Sequence, residues 1–152
     1  GLGSRRFDAD GVLSRPLPVV QSGVLQNFLL GVYAARRLGL APNGCAGGHS
    51  NFVVHPGHGS ISDLIADMNT GIVVTGMMGQ GADIRTGDFS MGAEGFLVQN
   101  GRITAPISEF TISSSFQEML FAIERIGDDA RLDTTVRLPS ILLGQMTVAG
   151  DA

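Results

Sequence analysis

GIVVTGMMGQGADIRTGDFSMGAEGFLVQNG, residues 71–101, carries eight glycines in 31 positions among branched and aromatic side chains. Glycine reaches backbone angles closed to other residues and lets a second backbone come near. In a segment this rich in Ile, Val, Phe and Leu, such density predicts β-bulges, corners and close chain approach, not a flexible linker. Residues 72–75 read as a buried strand. Residues 96–99 and 102–104 flank Asn100-Gly101, a pair suited to a type I′ turn, and form the clearest hairpin of the chain.

The flanking sequence alternates strand and short-helix signals. On the N-terminal side, residues 18–21 and 24–30 read as a hairpin about Ser22-Gly23. Residues 32–38 form a short helix stopped by Gly39. The turn-rich PNGCAGG, residues 42–48, reads as an ordered loop, and residues 51–54 as a short strand broken by His55-Pro56-Gly57. Ser60 caps a helix over residues 61–69, with Ile61, Leu64, Ile65 and Met68 on one face and Gly71 as its stop. On the C-terminal side, Ser115 and Glu118 match the capping-box pattern. They open a helix expected to run to about Ile126, with Phe116, Met119, Leu120, Ile123 and Ile126 on one face. Extended pieces at 134–138, 140–143 and 145–148 follow, the first two separated by Pro139. The sum is α+β: a mostly antiparallel sheet or barrel-like domain with two or three short helices.

Composition narrows the function classes. The chain has 152 residues, 43% hydrophobic and 16% charged, enough for one domain with a core. A net charge of −4 and a pI near 5.2 argue against a nucleic-acid surface. No apolar run reaches the ~18 residues of a membrane-spanning helix. All ten basic residues are Arg, which rules out Schiff-base lysine chemistry and a Walker-type phosphate lysine. The single Cys45 cannot form an internal disulfide and fits a reducing cytoplasm. Residues 2–11 read as mid-chain sequence, so the expectation is a domain belonging to a longer protein.

No self-contained active site emerges from motif spacing. His49, His55 and His58 are close in sequence, yet no HExxH helix accompanies them, and an exposed turn accounts for them better than a metal site. Gly79-Gln80-Gly81 is neither a P-loop nor a dinucleotide fingerprint; sheet corners explain it better. Asp83, Asp88 and Glu94 could in principle supply an acid/base pair, but turn-capping carboxylates are far commoner. No GxSxG elbow is present.

Several separated motifs, taken in order, resemble one family across nearly the whole chain. They are Gly76-Met77-Met78-Gly79-Gln80-Gly81, Thr86-Gly87-Asp88-Phe89-Ser90-Met91-Gly92, and Glu94-Gly95-Phe96-Leu97-Val98-Gln99-Asn100-Gly101. Ser4-Arg5-Arg6-Phe7-Asp8-Ala9-Asp10-Gly11-Val12, Asn43-Gly44, Ala46-Gly47-Gly48, Pro139-Ser140-Ile141-Leu142-Leu143 and Val148-Ala149-Gly150 join them. Together they are similar to the C-terminal region of the TldD/PmbA family, also called modulators of DNA gyrase, whose catalytic members are zinc metallopeptidases. The resemblance implies a single C-terminal domain spanning residues 1–152, with the N-terminal domain absent from this chain.

In the catalytic TldD branch, the resemblance implies an upstream HExxxH helix and a cysteine ligand near the end of the C-terminal half. This chain has no HExxxH and no cysteine between Asp129 and Gly144. The implied role is therefore the non-catalytic PmbA/TldE-like subunit, with no catalytic, cofactor or metal residue of its own and zinc in a TldD-like partner. An unfolded peptide would enter the shared cleft as an added strand. Gly79, Gln80, Gly81, Thr86, Gly87, Asp88 and Gly92 are the expected cleft or interface contacts. A self-dimerising zinc peptidase subunit and a non-enzymatic regulatory binding module are the alternatives. Neither nucleic acid nor membrane is expected as a partner, and the expected compartment is the cytoplasm.

Overall fold

The computed structural model describes residues 1–150. In chain order the elements are β1 (Val20–Gln21), β2 (Val24–Leu25), α1 (Val32–Leu38), β3 (Phe52–Val53), α2 (Ile61–Met68), β4 (Gly71–Met78) and β5 (Asp88–Gln99). They continue with β6 (Arg102–Ser115), α3 (Phe116–Phe121), β7 (Ile123–Ile126), β8 (Val136–Arg137), β9 (Ile141–Leu143) and β10 (Thr147–Ala149). The class is α+β, and among the described residues only β3 with β8 pairs in parallel. Among the described residues no helix is long and apolar enough to cross a membrane. The chain divides into two units, residues 1–54 with 131–137, and residues 55–130 with the segment from Leu138 onward.

In the first unit β1 and β2 pair as expected, Val20 with Leu25 and Gln21 with Val24. Ser22 (φ 51°) and Gly23 (φ 76°) take the two positive φ values of a type I′ turn. The second strand ends at Leu25 instead of running to residue 30. Beyond it the backbone bonds to a side chain, not to a ladder: Leu30 donates to Asn43 Oδ1 at 3.0 Å, and Asn43 Nδ2 donates to the Phe28 carbonyl at 2.7 Å. The α1 helix has the expected bounds and ends on Gly39 in the left-handed region. Asp8 is buried and Asp10 lies beside it in sequence. Asp8 accepts the N–H groups of Asp10, Val12 and Ala46, each at 2.9 Å, while Asp10 accepts the Val32 N–H at the start of α1 at 2.7 Å.

In the second unit Ser60 caps α2 as the sequence predicts, and Asp63 completes a capping box with it. Its stop differs, because Asn69 takes positive φ as the C-cap and Gly71 already belongs to β4. The main sheet has the order β10-β6-β5-β4 and is open, not a closed barrel. Residues 72–75 are not a buried strand: β4 is the sheet edge, and Val74 is 39% exposed.

Asn100 (φ 52°) and Gly101 (φ 69°) make the type I′ turn, but the hairpin is far longer than its tip, pairing down to Asp88 with Ser115. Register shifts at Val74/Gly76, Ala93/Gly95 and Leu97/Val98 are the bulges that the glycine density predicts. At Gly95 a Cβ would overlap the Val73 carbonyl oxygen, so β4 and β5 can approach only with glycine there. The core of the unit is Phe89, Ala93, Phe110 and Ile112, with Phe116 packed edge-on to Phe89 at 5.9 Å between ring centroids.

The helix expected to run to Ile126 stops at Phe121, with Ala122 as its C-cap. Ile123 and Ile126 pair instead with Leu143 and Ile141. A local helical period lost to the non-local ladder, which buries Leu142. The predicted C-terminal pieces appear as the shorter strands β8, β9 and β10.

Candidate functional site

Six of the seven residues expected at a cleft or interface lie in or beside the loop joining β4 to β5. Hydrogen bonds shape that loop from its own sequence. Asp83 is its organiser: its N–H donates to the Asp88 carbonyl at 2.9 Å, and its carbonyl accepts from Gly87 at 2.8 Å. Its carboxylate accepts the Arg85 N–H at 2.8 Å and Arg85 Nη2 at 3.0 Å. The Arg85 side chain, then the Arg85 backbone N–H, hold the Asp83 carboxyl below its ordinary range. The ends are closed by Ser90 donating to the Gly81 carbonyl at 2.7 Å and by Phe116 donating to the Gly87 carbonyl at 2.8 Å.

Gln80, Gly81 and Asp88 line an open depression in this loop together with Ile84, which is 89% exposed. Gly81 meets a genuine close approach, since a Cβ there would overlap the Ser90 carbonyl oxygen. Gly87 does not: nothing lies within 4 Å of where its Cβ would be, and its φ of +85° is what requires glycine. Gly92 stands apart from the loop, inside β5, opposite Met78 on one side and Thr111 on the other. Gly79 and Thr86 are loop positions, and the Thr86 hydroxyl accepts the Asp88 N–H at 3.3 Å.

Asp83 and Asp88 both border this depression, with the Asp83 carboxylate engaged by Arg85, while Glu94 sits apart at the β5 bulge. His49, His55 and His58 are exposed. Among the described residues no three His, Cys, Asp or Glu side chains are grouped as a metal site. The described residues do not supply the grouped donor set of a zinc centre.

Sequence reasoning missed the larger concave feature. A groove of about 840 Å³ runs over the inner face of the main sheet, walled by α2, β4 and the β9 to β10 segment. Ile72, Val74 and Met77 of β4 face it, and among the described residues the outer edge of β4 has no strand partner. The signal was present in residues 71–78, GIVVTGMM, an eight-residue stretch without charge or proline. Such a stretch at a sheet edge is a template for another strand.

Comparison with known proteins agrees with this architecture. The chain is 40% identical over 151 residues to a metalloprotease PmbA homolog of Haemophilus influenzae, covering 99% of this chain and 34% of the relative. It is 40% identical over 150 residues to metalloprotease PmbA of Escherichia coli O157:H7, covering 99% and 33%. A metalloprotease TldD homolog of Haemophilus influenzae is more distant, at 25% over 173 residues, covering 97% and 36%. A crystal structure from Thermotoga maritima, described as a candidate modulator of a DNA gyrase, matches with a TM-score of 0.90 at 35% identity, covering 98% and 36%. The fold is also that of TldE from Thermococcus kodakarensis, with a TM-score of 0.80 at 23% identity, covering 96% and 36%. The chain thus spans about a third of the length of the curated relatives it matches. The family model for the PmbA/TldA metallopeptidase C-terminal domain matches residues 1–150, and the chain belongs to that family.

Proposed function

We propose that this chain is the C-terminal domain of a PmbA/TldE-like, non-catalytic subunit of a cytoplasmic TldD/TldE zinc metallopeptidase acting on unfolded peptides. The domain contributes dimer interface and peptide cleft, and a TldD-like partner supplies the zinc. One observation carries the reading: the uncharged edge of β4, unpaired among the described residues, lies beside an apolar groove. An unpaired edge offers backbone donors and acceptors to an extended chain whatever its sequence, as processing of unfolded peptides requires. The higher identity to PmbA-named relatives, 40% against 25% for the TldD homolog, supports the branch. Gly79, Gln80, Gly81, Thr86, Gly87, Asp88 and Gly92 are the proposed contacts, presented by the Asp83-organised loop and by β5.

The test is peptide hydrolysis by the full-length parent, alone and mixed with a TldD-type subunit of the same source. Cleavage only in the mixture is the expected result. Cleavage by the parent alone, abolished by a chelator, would place the zinc in this subunit and overturn the assignment.

A further inference from the structure

We propose that the groove beside β4 selects extended peptides bearing apolar side chains at alternate positions together with a positive charge; this rests on the peptide-cleft reading above. The edge of β4 dictates the backbone of the occupant. A chain hydrogen-bonded to it is extended, so every second side chain lies on the face shared by Ile72 and Val74. That face opens on the groove, where Leu64, Ile72, Val74 and Leu142 meet four of the chain's six methionines, Met68, Met77, Met119 and Met146. Unbranched thioethers adapt to irregular partners, so the groove favours apolar side chains as a class over any single residue.

Charge completes the description. No Arg or His lines the groove; its ionisable residues are Asp67 and Glu124. Asp67 is neutralised by the Arg125 guanidinium. Glu124 forms no ion pair among the described residues and places its carboxylate beside Gly144 in the same wall. Among the described residues the one lining charge left unpaired is therefore the Glu124 carboxylate, and a Lys, Arg or amino terminus on the peptide is its complement.

The experiment measures fluorescence anisotropy of three labelled peptides of equal length against the protein. One alternates Leu and Ser and ends in Lys, one replaces Leu by Ser, and one replaces Lys by Glu. The first is expected to bind at least about tenfold tighter than either of the others. Glu124→Gln should abolish the preference for Lys over Glu and leave the preference for Leu over Ser intact. Val74→Asp, at a half-exposed position whose folding is checked by circular dichroism, should abolish the preference for Leu.

Equal binding of the Leu and Ser peptides would overturn the selectivity while leaving the peptide cleft standing. Undiminished binding by a backbone N-methylated Leu peptide would overturn pairing with β4. Binding of no peptide, with a dimer that Val74→Asp dissolves, would assign the groove to a second copy and overturn both readings.

Discussion

Asp8 Oδ2 accepts the backbone N–H of Ala46 at 2.9 Å, 38 positions along the chain. The other oxygen accepts Asp10 and Val12, so a single buried carboxylate closes one turn and pins a distant loop to it. Burial alone would raise the pKa of Asp8. The N–H donors of Ala46, Val12 and Asp10, with the Arg5 charge, outweigh it and hold the carboxyl below its ordinary value of 3.8.

The sign of the resulting pH dependence is fixed. The folded pKa lies below the unfolded one, so the stabilisation is complete above about pH 3.8 and is lost as pH falls through the lower folded value. Asp8→Asn preserves size, but either orientation of the amide turns its NH2 toward a backbone N–H donor. The expected outcome is a Tm several degrees lower at neutral pH and a shallower acid limb, read by thermal unfolding across the acid range. An acid limb as steep as in the parent would remove Asp8 from this role.

The two capping boxes are separable tests of the helix starts. Ser115 accepts the Glu118 N–H at 3.1 Å, and Glu118 in turn accepts the Ser115 N–H at 3.1 Å and the Ser114 hydroxyl at 3.1 Å. Ser60 and Asp63 repeat the arrangement at α2. Ser115→Ala and Ser60→Ala should each cost about 1 kcal/mol in urea unfolding. The double variant should cost close to the sum, because the caps share no partner.

Both N-cap serines were legible in sequence, because each precedes a helical apolar period and acts within one turn. The β4 to β5 corner and the type I′ turn at Asn100-Gly101 were legible for the same reason. What escaped was non-local. The stretch from Phe116 to Ile126 has a helical apolar period, yet Ile123 and Ile126 answer to β9 some twenty residues later. The upper halves of β5 and β6 hide behind Gly92 and the run Ser113-Ser114-Ser115, poor strand signals taken singly. Pro106 sits inside β6 at a level where β10 does not reach, since β10 pairs only with residues 111–113, so its missing N–H breaks no ladder to β10. The candidate loop was found through its glycines, while the groove was missed because an uncharged run such as residues 71–78 reads as buried until the sheet order shows it at an edge.

Arg125 ties three pieces of the second unit together: its guanidinium pairs with Asp67 of α2, and its Nε donates to the His58 carbonyl at 3.2 Å. The partners are a third to a half exposed, so the ion pair itself is worth only about 0.2–1 kcal/mol. Arg125→Gln should therefore destabilise modestly, with the deficit shrinking as salt rises. A loss unaffected by salt would mean that the hydrogen bond to His58 carries the effect.

Gly92 and Gly95 lie three residues apart in β5 and make opposite predictions. At Gly92 an added Cβ meets only ordinary contacts, Met78 O at 3.5 Å and Met78 Cβ at 3.9 Å. At Gly95 it would run into the Val73 carbonyl oxygen and crowd the Val73 and Val74 backbone behind it. Gly95→Ala should cost upwards of about 2 kcal/mol in chemical denaturation, while Gly92→Ala should stay within about 0.5 kcal/mol of the parent. The contrast has a functional use. If Gly92→Ala folds normally but impairs hydrolysis by the mixed subunits, Gly92 is held as glycine by something that approaches from outside the chain, as a cleft or interface position demands. If it folds normally and the mixture keeps full activity, Gly92 leaves the set of proposed contacts, and the Asp83-organised loop stands as the remaining candidate.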